Sequence, residues 1–213
     1  MDAQPGLRER KRQQAWGLIA QTARRLFKEH GFDAVTVDDI AREADVSRKT
    51  VFNYFPTKED LFFSGMEVFE AQLLEAIRER KPGTPILTAF VRFLTESRGL
   101  LATDDPEAGE RLHAISRMIA ESPRLLAREH QVYAGYAAAL ARLIAEETRA
   151  RPGDVAPWIA ANAMIGVHKA LVDHVRRQVL AGERDRARIA RALRAQAKQA
   201  VALLADGLGE LGA

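Results

Sequence analysis

The sequence predicts an all-α protein of about nine helices. Apolar residues recur at helical spacing along almost every segment, and no segment shows the sustained alternation that is typical of a β-strand. Capping residues, prolines and glycines separate these segments. Because the first segments are short and the later ones are long, we expect a small N-terminal three-helix domain followed by a larger helical bundle within the 213 residues.

The composition restricts the class of protein. Cysteine is absent, which excludes a disulfide framework, a zinc finger and thiol catalysis. No apolar run approaches the roughly 18 residues of a membrane span, and the charged N-terminus lacks the apolar segment of a secretory signal. We therefore expect a soluble cytoplasmic protein. Its formal charge of +3 does not by itself indicate a nucleic-acid partner.

The first two helices are defined by their ends. The first carries an apolar stripe over residues 19–27 and ends at Gly31, where a left-handed residue is favoured. Thr36 begins the second helix, and Asp39 follows three residues later at the spacing of a capping box. Apolar residues at helical spacing over 37–44 complete this helix.

Ser47 begins a short third helix. This helix must end at Phe55, because the proline that follows disfavours the α conformation in the residue before it. Thr57 then begins a fourth helix, for which we predict one continuous apolar stripe over residues 62–77. Later breaks between helices are expected at residues 81–85, 105–106, 122–123, 151–154 and 182.

A short link over residues 44–46 joins the second and third helices, which is the arrangement of a helix-turn-helix. In such a motif, one face of the second of these helices packs on the core and the other presents side chains to DNA bases. The apolar residues predicted to face inward are Val46, Val51, Phe52 and Phe55. The side chains predicted to face outward are Arg48, Lys49, Thr50, Asn53 and Tyr54.

The outward residue types match the chemical groups of DNA. Arginine and lysine bind guanine edges or phosphates, asparagine binds adenine, threonine contacts a thymine methyl group, and tyrosine donates to phosphate. Lys58, in the first turn of the fourth helix, places an ammonium beside backbone N–H groups, which suits a phosphate. Before the first helix, a basic arm with Arg8, Arg10, Lys11 and Arg12 is predicted to reach phosphates or the minor groove.

The segment TVDDIAREADVSRKTVFNYFPTKEDLF (36–62) resembles the N-terminal motif of the TetR family of bacterial one-component transcription regulators. The resemblance covers roughly residues 12–64. The matching positions are Thr36, Ile40-Ala41, Val46-Ser47, Thr50-Val51-Phe52, Tyr54-Phe55, Lys58-Glu59 and Leu61. Two positions depart from the family's pattern, since Asp45 replaces a common glycine and Phe52 a common tyrosine. Because aspartate tolerates the left-handed conformation, we expect the turn to be kept.

The resemblance implies a homodimer that binds a near-palindromic operator and releases it when a small molecule binds, most often as a repressor. It implies a helix-turn-helix DNA-binding domain over residues 1–60 and a ligand-binding and dimerisation domain over residues 61–213. The candidate DNA-binding residues are Arg10, Arg12, Thr36, Ser47, Arg48, Lys49, Thr50, Asn53, Tyr54 and Lys58.

The larger domain carries many aromatic and long apolar residues, most of which we expect to form its core. The resemblance implies that some of them line a ligand pocket between helices. Candidates for this pocket are Met66, Phe69, Phe90, Phe93, His113, Arg117, Met118, Tyr133, Tyr136 and Asn162. His130 and His168 are further polar residues that can orient a ligand. Candidates for a four-helix dimer interface on the last two helices are Ile165, Gly166, Lys169, Ile189, Leu193, Ala200 and Leu204.

Two other classes of protein stay open as alternatives. Glu110 and His113 form one Glu-x-x-His pair, but a di-iron bundle enzyme needs a second such pair and two more glutamates. The sequence has no phosphate-binding glycine loop, nucleophile elbow or His-Glu-x-x-His motif, so we expect no enzyme activity, no cofactor and no catalytic or metal-binding residue. A helical protein-interaction module is the other alternative, and it would not need the outward cationic residues.

Overall fold

The structure is a computed structural model that describes residues 6–96 and 99–206. The predicted all-α fold is confirmed, and the described residues form ten α-helices and one 3₁₀ turn, Gly99–Leu101. The α-helices are α1 (Leu7–His30), α2 (Val37–Glu43), α3 (Arg48–Tyr54), α4 (Lys58–Phe62), α5 (Met66–Arg78), α6 (Ile86–Thr95), α7 (Ala108–Glu121), α8 (Pro123–Thr148), α9 (Ala156–Leu180) and α10 (Arg186–Asp206).

The chain divides into two compact units. The first contains the chain up to Met66 together with Met118–Arg128, and the second contains Glu67–Arg117 and the chain from Glu129 onward. This division differs from the predicted boundary after residue 60. The start of α5 and the α7–α8 junction belong to the first unit because their apolar residues pack into its core.

The core of the first unit is built from one buried face of each of its first four helices. Ile19, Ile40, Val51 and Leu61, one from each of α1 to α4, are fully buried. Burying an apolar side chain of this size contributes about 1.5–3 kcal/mol. α1 packs against α2 and α4, and α2 packs against α3. Since a helix of seven residues is not stable in isolation, α3 forms because this core holds it.

Side-chain caps begin α2 and α3 at the predicted residues. Thr36 Oγ1 accepts the Asp39 N–H at 3.1 Å, and Asp39 Oδ2 accepts the Thr36 N–H at 3.0 Å, which completes the predicted capping box. Ser47 Oγ accepts the Thr50 N–H at 3.0 Å. The hydrogen bonds from Thr36 lower the pKa of Asp39 to about 2. These caps fix the residues at which the two helices start.

Two predictions about helices are wrong. The fourth helix is not continuous, because Gly65 adopts φ +99°, a left-handed conformation that cannot continue a helix, and α5 therefore begins separately at Met66. The basic arm does not precede the first helix but forms its first turns, since α1 begins at Leu7. The side chains of this segment favour helix, and Glu9 pairs with Arg12 at 2.9 Å within one turn.

The turn between α2 and α3 depends on Asp45. This residue has φ +52°, in the left-handed region, and the expectation that aspartate keeps the turn is confirmed. The Asp45 N–H donates to the Arg42 carbonyl at 3.2 Å, and the Val46 N–H donates to the Ala41 carbonyl at 3.0 Å. This pair of hydrogen bonds is a Schellman motif, which ends α2 and directs the chain into α3 within a few residues.

The second unit contains the long helices. α10 packs against α9 and α6, and the side chains buried at the centre of this unit include Leu73, Ile77, Phe90 and Leu140. Among the helices described, none combines the length and the apolar character that a membrane span requires.

Replacing Asp45 by valine should lower the free energy of unfolding by about 1–2 kcal/mol, because a β-branched residue is strained in the left-handed conformation. Asp45→Gly is the matched control and should keep the stability or raise it, because glycine adopts φ +52° without strain. Urea denaturation followed by circular dichroism measures both variants. Equal stability of the two would contradict the role of this turn.

Candidate nucleic-acid interface

The third helix presents a row of polar side chains on its exposed side. Val51 is fully buried and Phe55, just after the helix, is nearly so, which identifies the face that packs on the core. Arg48, Lys49 and Asn53 lie on the exposed side. Lys49 forms no ion pair within the described part of the chain, so its ammonium is available to a phosphate or a base edge.

Arg48 forms a weak ion pair next to the exposed polar side chains of α3. Its Nη1 atom lies 2.8 Å from Asp38 Oδ2, and its guanidinium lies 5.4 Å from the centroid of the Phe52 ring. The side chains of the ion pair are 60% and 59% exposed, so water weakens their attraction. Arg48 can therefore exchange Asp38 for a DNA phosphate or a guanine at little cost.

The prediction that Phe52 faces inward is wrong. Its side chain is 39% exposed, whereas the neighbouring Val51 is fully buried. Successive helical residues point about 100° apart, so a short helix whose Val51 faces the core directs Phe52 to one side. Phe52 instead gives the exposed face an apolar surface next to Arg48.

The first turns of α1 lie beside the end of α3. Trp16 packs on Phe55 with ring centroids 5.5 Å apart, and Arg12 lies within electrostatic range of Tyr54. Tyr54 is half-buried and packs against the core of the first unit, while Arg10 is exposed. The structure therefore brings Arg12, a predicted DNA-binding residue of the basic segment, close to Tyr54, a predicted DNA-binding residue at the end of α3.

Two of the predicted hydroxyl groups, those of Thr36 and Ser47, cap helices, and the Thr50 hydroxyl contacts that of Ser47. Thr36 Oγ1 donates to Asp39 Oδ2 at 2.6 Å, and the Ser47 and Thr50 hydroxyl oxygens are 2.8 Å apart. Thr36 and Ser47 are exposed, whereas Thr50 is half-buried. Their structural role is to fix where α2 and α3 begin.

Lys58 is half-buried, and its ammonium is bound within the first unit. Its ammonium donates to the carbonyl oxygens of Phe32 at 2.9 Å and Val35 at 3.0 Å, and it lies 4.1 Å from the centroid of the Phe32 ring. Burial lowers the pKa of this ammonium. This geometry does not favour the predicted phosphate contact, because two of the three N–H donors are already used within the first unit.

Aromatic side chains of the second unit gather around His168. Phe69 stacks on the imidazole with ring centroids 4.4 Å apart, and Tyr133 meets it edge-on at 5.6 Å. Phe93 and Tyr136 contact Phe69 at 5.3 Å and 5.4 Å. Burial lowers the pKa of His168 to about 4, so the imidazole is neutral at pH 7. Four of the predicted pocket residues therefore lie together around a neutral histidine.

A buried ion pair lies close to this aromatic group. Glu129 Oε1 and Arg176 Nη2 are 2.5 Å apart, with side chains only 4% and 11% exposed, and Arg176 Nη1 lies 3.1 Å from Asp173 Oδ1. Burial, together with the Glu129 charge, raises the pKa of Tyr133 one turn further along α8. The two residues of the pair are 47 positions apart, so no local pattern in the sequence predicts it. The available signal was that Glu129 interrupts the buried stripe of α8 between Leu125 and Tyr133.

Other predicted pocket residues lie elsewhere. Met66 and Met118 pack against the core of the first unit. Arg117 and Asn162 are exposed, and the Asn162 amide donates to the Trp158 carbonyl at 2.8 Å. Residue type and position in a helix do not by themselves give the rotation of that helix, which decides the surroundings of each side chain. Phe90 is fully buried and His113 is half-buried.

A cavity of about 590 Å³ lies at the turn between α8 and α9. Its lining residues fall between Ile144 and Ala160, and none of them belongs to the predicted pocket. In the described residues, no group of three or more His, Cys, Asp or Glu side chains is placed to hold a metal ion.

The predicted dimer residues divide into two groups. Ile165 and Ile189 are 4% and 1% exposed and pack within their own unit, so their prediction as interface residues is not supported by the structure. Apolar residues occur at both buried and exposed positions of α9 and α10, so residue type alone does not separate core from surface. Leu193 packs against the buried cluster that contains Ile189, and the candidates that keep exposed surface are Gly166, Lys169, Ala200 and Leu204.

The exposed row on α3, set in a helix-turn-helix and followed by a long helical unit, defines a DNA-binding protein of the helix-turn-helix class. The chain belongs to the TetR family. Residues 19–64 match the model of the bacterial regulatory proteins of the tetR family, and residues 84–209 match the model of the MftR C-terminal domain. The resemblance found in the N-terminal motif is confirmed, and the second match extends it over the larger unit.

Curated relatives match over part of their length. The HTH-type transcriptional regulator TcmR of Streptomyces glaucescens is 30% identical over 86 residues, which are 40% of this chain and 38% of TcmR. The putative mycofactocin biosynthesis transcriptional regulator MftR of Mycobacterium tuberculosis is 42% identical over 55 residues, which are 26% of this chain and 28% of MftR. The chain thus spans about a third of the length of these relatives.

Solved structures share the fold. NalD, the secondary repressor of the MexAB-OprM multidrug efflux pump in Pseudomonas aeruginosa, is 21% identical over 88% of this chain and 97% of its own, with a TM-score of 0.55. Thermus thermophilus FadR, a TetR family transcriptional repressor in complex with lauroyl-CoA, is 21% identical over 93% of this chain and 97% of its own, with a TM-score of 0.53. At these identities the similarity shows the fold alone.

Acid should destabilise the protein through His168. The folded pKa of about 4 lies below the ordinary value of 6.5, so the unfolded state takes up the proton first as the pH falls. The free energy of unfolding should therefore decrease between pH 6.5 and pH 4, by up to about 3 kcal/mol from this residue. Chemical denaturation across this pH range measures the slope.

His168→Phe removes the titrating group and keeps a flat ring against Phe69. The dependence of its unfolding free energy on pH should be flatter than that of the unmodified protein, with pH 8 as the internal reference for each. The same slope in both proteins would show that His168 is not the group responsible.

Proposed function

We propose that this chain is a ligand-responsive transcriptional regulator that acts in the cytoplasm as a homodimer. It binds a near-palindromic operator, represses transcription, and releases the DNA when a small molecule binds. The observation that carries the proposal is the exposed side of α3, where Arg48, Lys49 and Asn53 project from a short helix that the core holds from the opposite side.

Different residues on and around α3 bind different parts of the DNA in this proposal. Asn53 suits an adenine edge, while Lys49 and Arg48 suit guanine edges or phosphates. The Tyr54 hydroxyl and Arg12 lie near one another and bind the backbone beside the bases that α3 contacts. Arg10 adds an exposed cation in the first turns of α1.

Dimerisation places one α3 in each half of the operator. The exposed small and apolar residues of α9 and α10 support a four-helix interface between two copies. Gly166 is central to this proposal, because a glycine on an exposed helical face permits close approach of a second helix. Two α3 helices then contact successive major grooves, about one helical turn of DNA apart.

The second unit receives the ligand. The aromatic group around His168 supplies flat apolar surface, and the buried Glu129–Arg176 pair supplies charged and hydrogen-bonding groups nearby. Apolar walls with a few fixed polar groups are the usual composition of a small-molecule site. Glu129, Arg176 and His168 are thus the residues proposed to orient the ligand.

A gel-shift titration across a salt series tests the function. The purified protein is mixed with the intergenic DNA upstream of its own gene and with a scrambled duplex of equal composition. Specific binding should weaken steeply with salt, because each neutralised phosphate lowers log K by about 0.9 per log unit of salt. An absence of specific binding at every salt concentration would refute the proposal.

Lys49→Ala combined with Tyr54→Phe should weaken operator binding on the order of 1000-fold, since the dimer loses four contacts worth about 1 kcal/mol each. Phenylalanine is used at position 54 because the tyrosine ring packs against the core. Lys81→Ala removes an exposed lysine from the loop after α5 and is the control. An unchanged gel shift for the double variant would mean that another face of the protein binds DNA.

Gly166→Arg should convert the dimer into a monomer with unchanged helix content. Gly166 has open space around it within its own chain, and arginine favours helix over glycine by about 1 kcal/mol, so the fold is not perturbed. Gly135→Arg is the matched control, because Gly135 is also an exposed helical glycine with open space around it. Sedimentation velocity distinguishes the two, and a dimeric Gly166→Arg protein would place the interface elsewhere.

A further inference from the structure

The ammonium of Lys58 is half-buried and is bound by groups of the first unit itself. It donates to two backbone carbonyls of the loop between α1 and α2, those of Phe32 and Val35, at 2.9 Å and 3.0 Å. It also lies over the face of the Phe32 ring, 4.1 Å from the centroid, which is the geometry of a cation–π contact. Three contacts therefore hold this group.

The carbonyls that Lys58 binds lie where the chain enters α2. Val35 directly precedes Thr36, the residue whose capping box begins that helix. Phe32 is buried and packs against Phe27 and Phe62 with ring centroids 5.3 Å and 5.6 Å away. The ammonium thus fixes both ends of the segment that positions α2, and α2 in turn packs against α3.

The helix that carries Lys58 is itself fixed at its first turn. Thr57 and Asp60 form a capping box at the start of α4. The second carboxylate oxygen of Asp60 lies 2.5 Å from Arg128 Nη2 on α8, and the Asp60 side chain is 16% exposed. Lys58 therefore contacts the α1–α2 loop from a helix start that is itself fixed by the capping box and by the ion pair between Asp60 and Arg128.

Moving the ammonium to a DNA phosphate would have a cost that Lys49 does not have. Two loop carbonyls would lose their charged donor, and the ring of Phe32 would lose its cation. Lys49, by contrast, is exposed and has no ion pair in the part of the chain that the structure describes. The two lysines are chemically identical, but the fold engages the ammonium of Lys58 and leaves that of Lys49 exposed.

We propose that Lys58 is a positioning residue, which holds the loop before α2 and thereby the orientation of α3, and that it is not a phosphate ligand. The inference rests on the proposed function, because it concerns how α3 is presented to the operator. Loss of Lys58 misplaces the base-reading side chains, so it weakens specific binding while leaving the number of phosphate contacts unchanged.

The test compares Lys58→Met with Lys49→Met, which is the same chemical change on the exposed lysine. Each protein is titrated against the upstream duplex that the unmodified protein binds most tightly, and against poly(dI-dC), over a salt series. Stoichiometric titration gives the active fraction of each preparation, so that partial unfolding is not counted as weaker binding. Should Lys58→Met not fold, Lys58→Gln removes the same charge with a smaller change and is scored by the same criterion.

Lys58→Met should weaken binding to the specific duplex about tenfold, leave binding to poly(dI-dC) unchanged and keep the salt slope of the unmodified protein. Lys49→Met should weaken both and lower the slope by about 1.8 for the dimer, from about 0.9 per phosphate. The proposal is overturned if Lys58→Met has a lower salt slope than the unmodified protein. It is also overturned if each active molecule of Lys58→Met binds the specific duplex as tightly as the unmodified protein does. If the unmodified protein binds neither probe, the proposed function is refuted. This inference is then refuted as well, because it rests on that function.

Discussion

The burial of Val51 in the core of the first unit is the constraint on which the DNA-binding surface depends. The helix α3 has seven residues, too few to be stable alone, so its existence and its rotation both come from packing into the core that also contains Ile19, Ile40 and Leu61. Once Val51 faces the core, the directions of the other side chains on the helix follow at about 100° per residue. The exposed row of polar side chains is therefore a consequence of apolar packing on the opposite side.

Charged residues serve two different purposes in this chain. Lys58, Asp60 and Arg128 hold the elements of the first unit together, whereas Lys49 stays exposed. In the second unit, Glu129 and Arg176 form a buried pair next to Tyr133, where desolvation makes an unpaired charge very unfavourable. Residue type alone does not reveal which charged groups hold the fold together and which remain exposed, because that depends on the packing around each of them.

The local features of the fold were predictable because they depend on neighbours in the sequence. The caps at Thr36 and Ser47 and the end of α3 before Pro56 are set by residues within four positions. The break at Gly65 was missed, because an apolar stripe continues across it and a glycine does not always interrupt a helix. Phe52 was misplaced because a short helix has little periodicity from which to judge its rotation.

The all-α fold, the helix-turn-helix with its start and stop residues, and the family can all be recognised in the sequence, since each of these follows from local patterns of residue type. Three other features are visible only in the folded chain: Lys58 binds two loop carbonyls, Glu129 pairs with Arg176 across 47 positions, and Met118 belongs to the first unit. These contacts join residues far apart in the chain. Their existence depends on packing that brings distant helices together, and no local pattern encodes it.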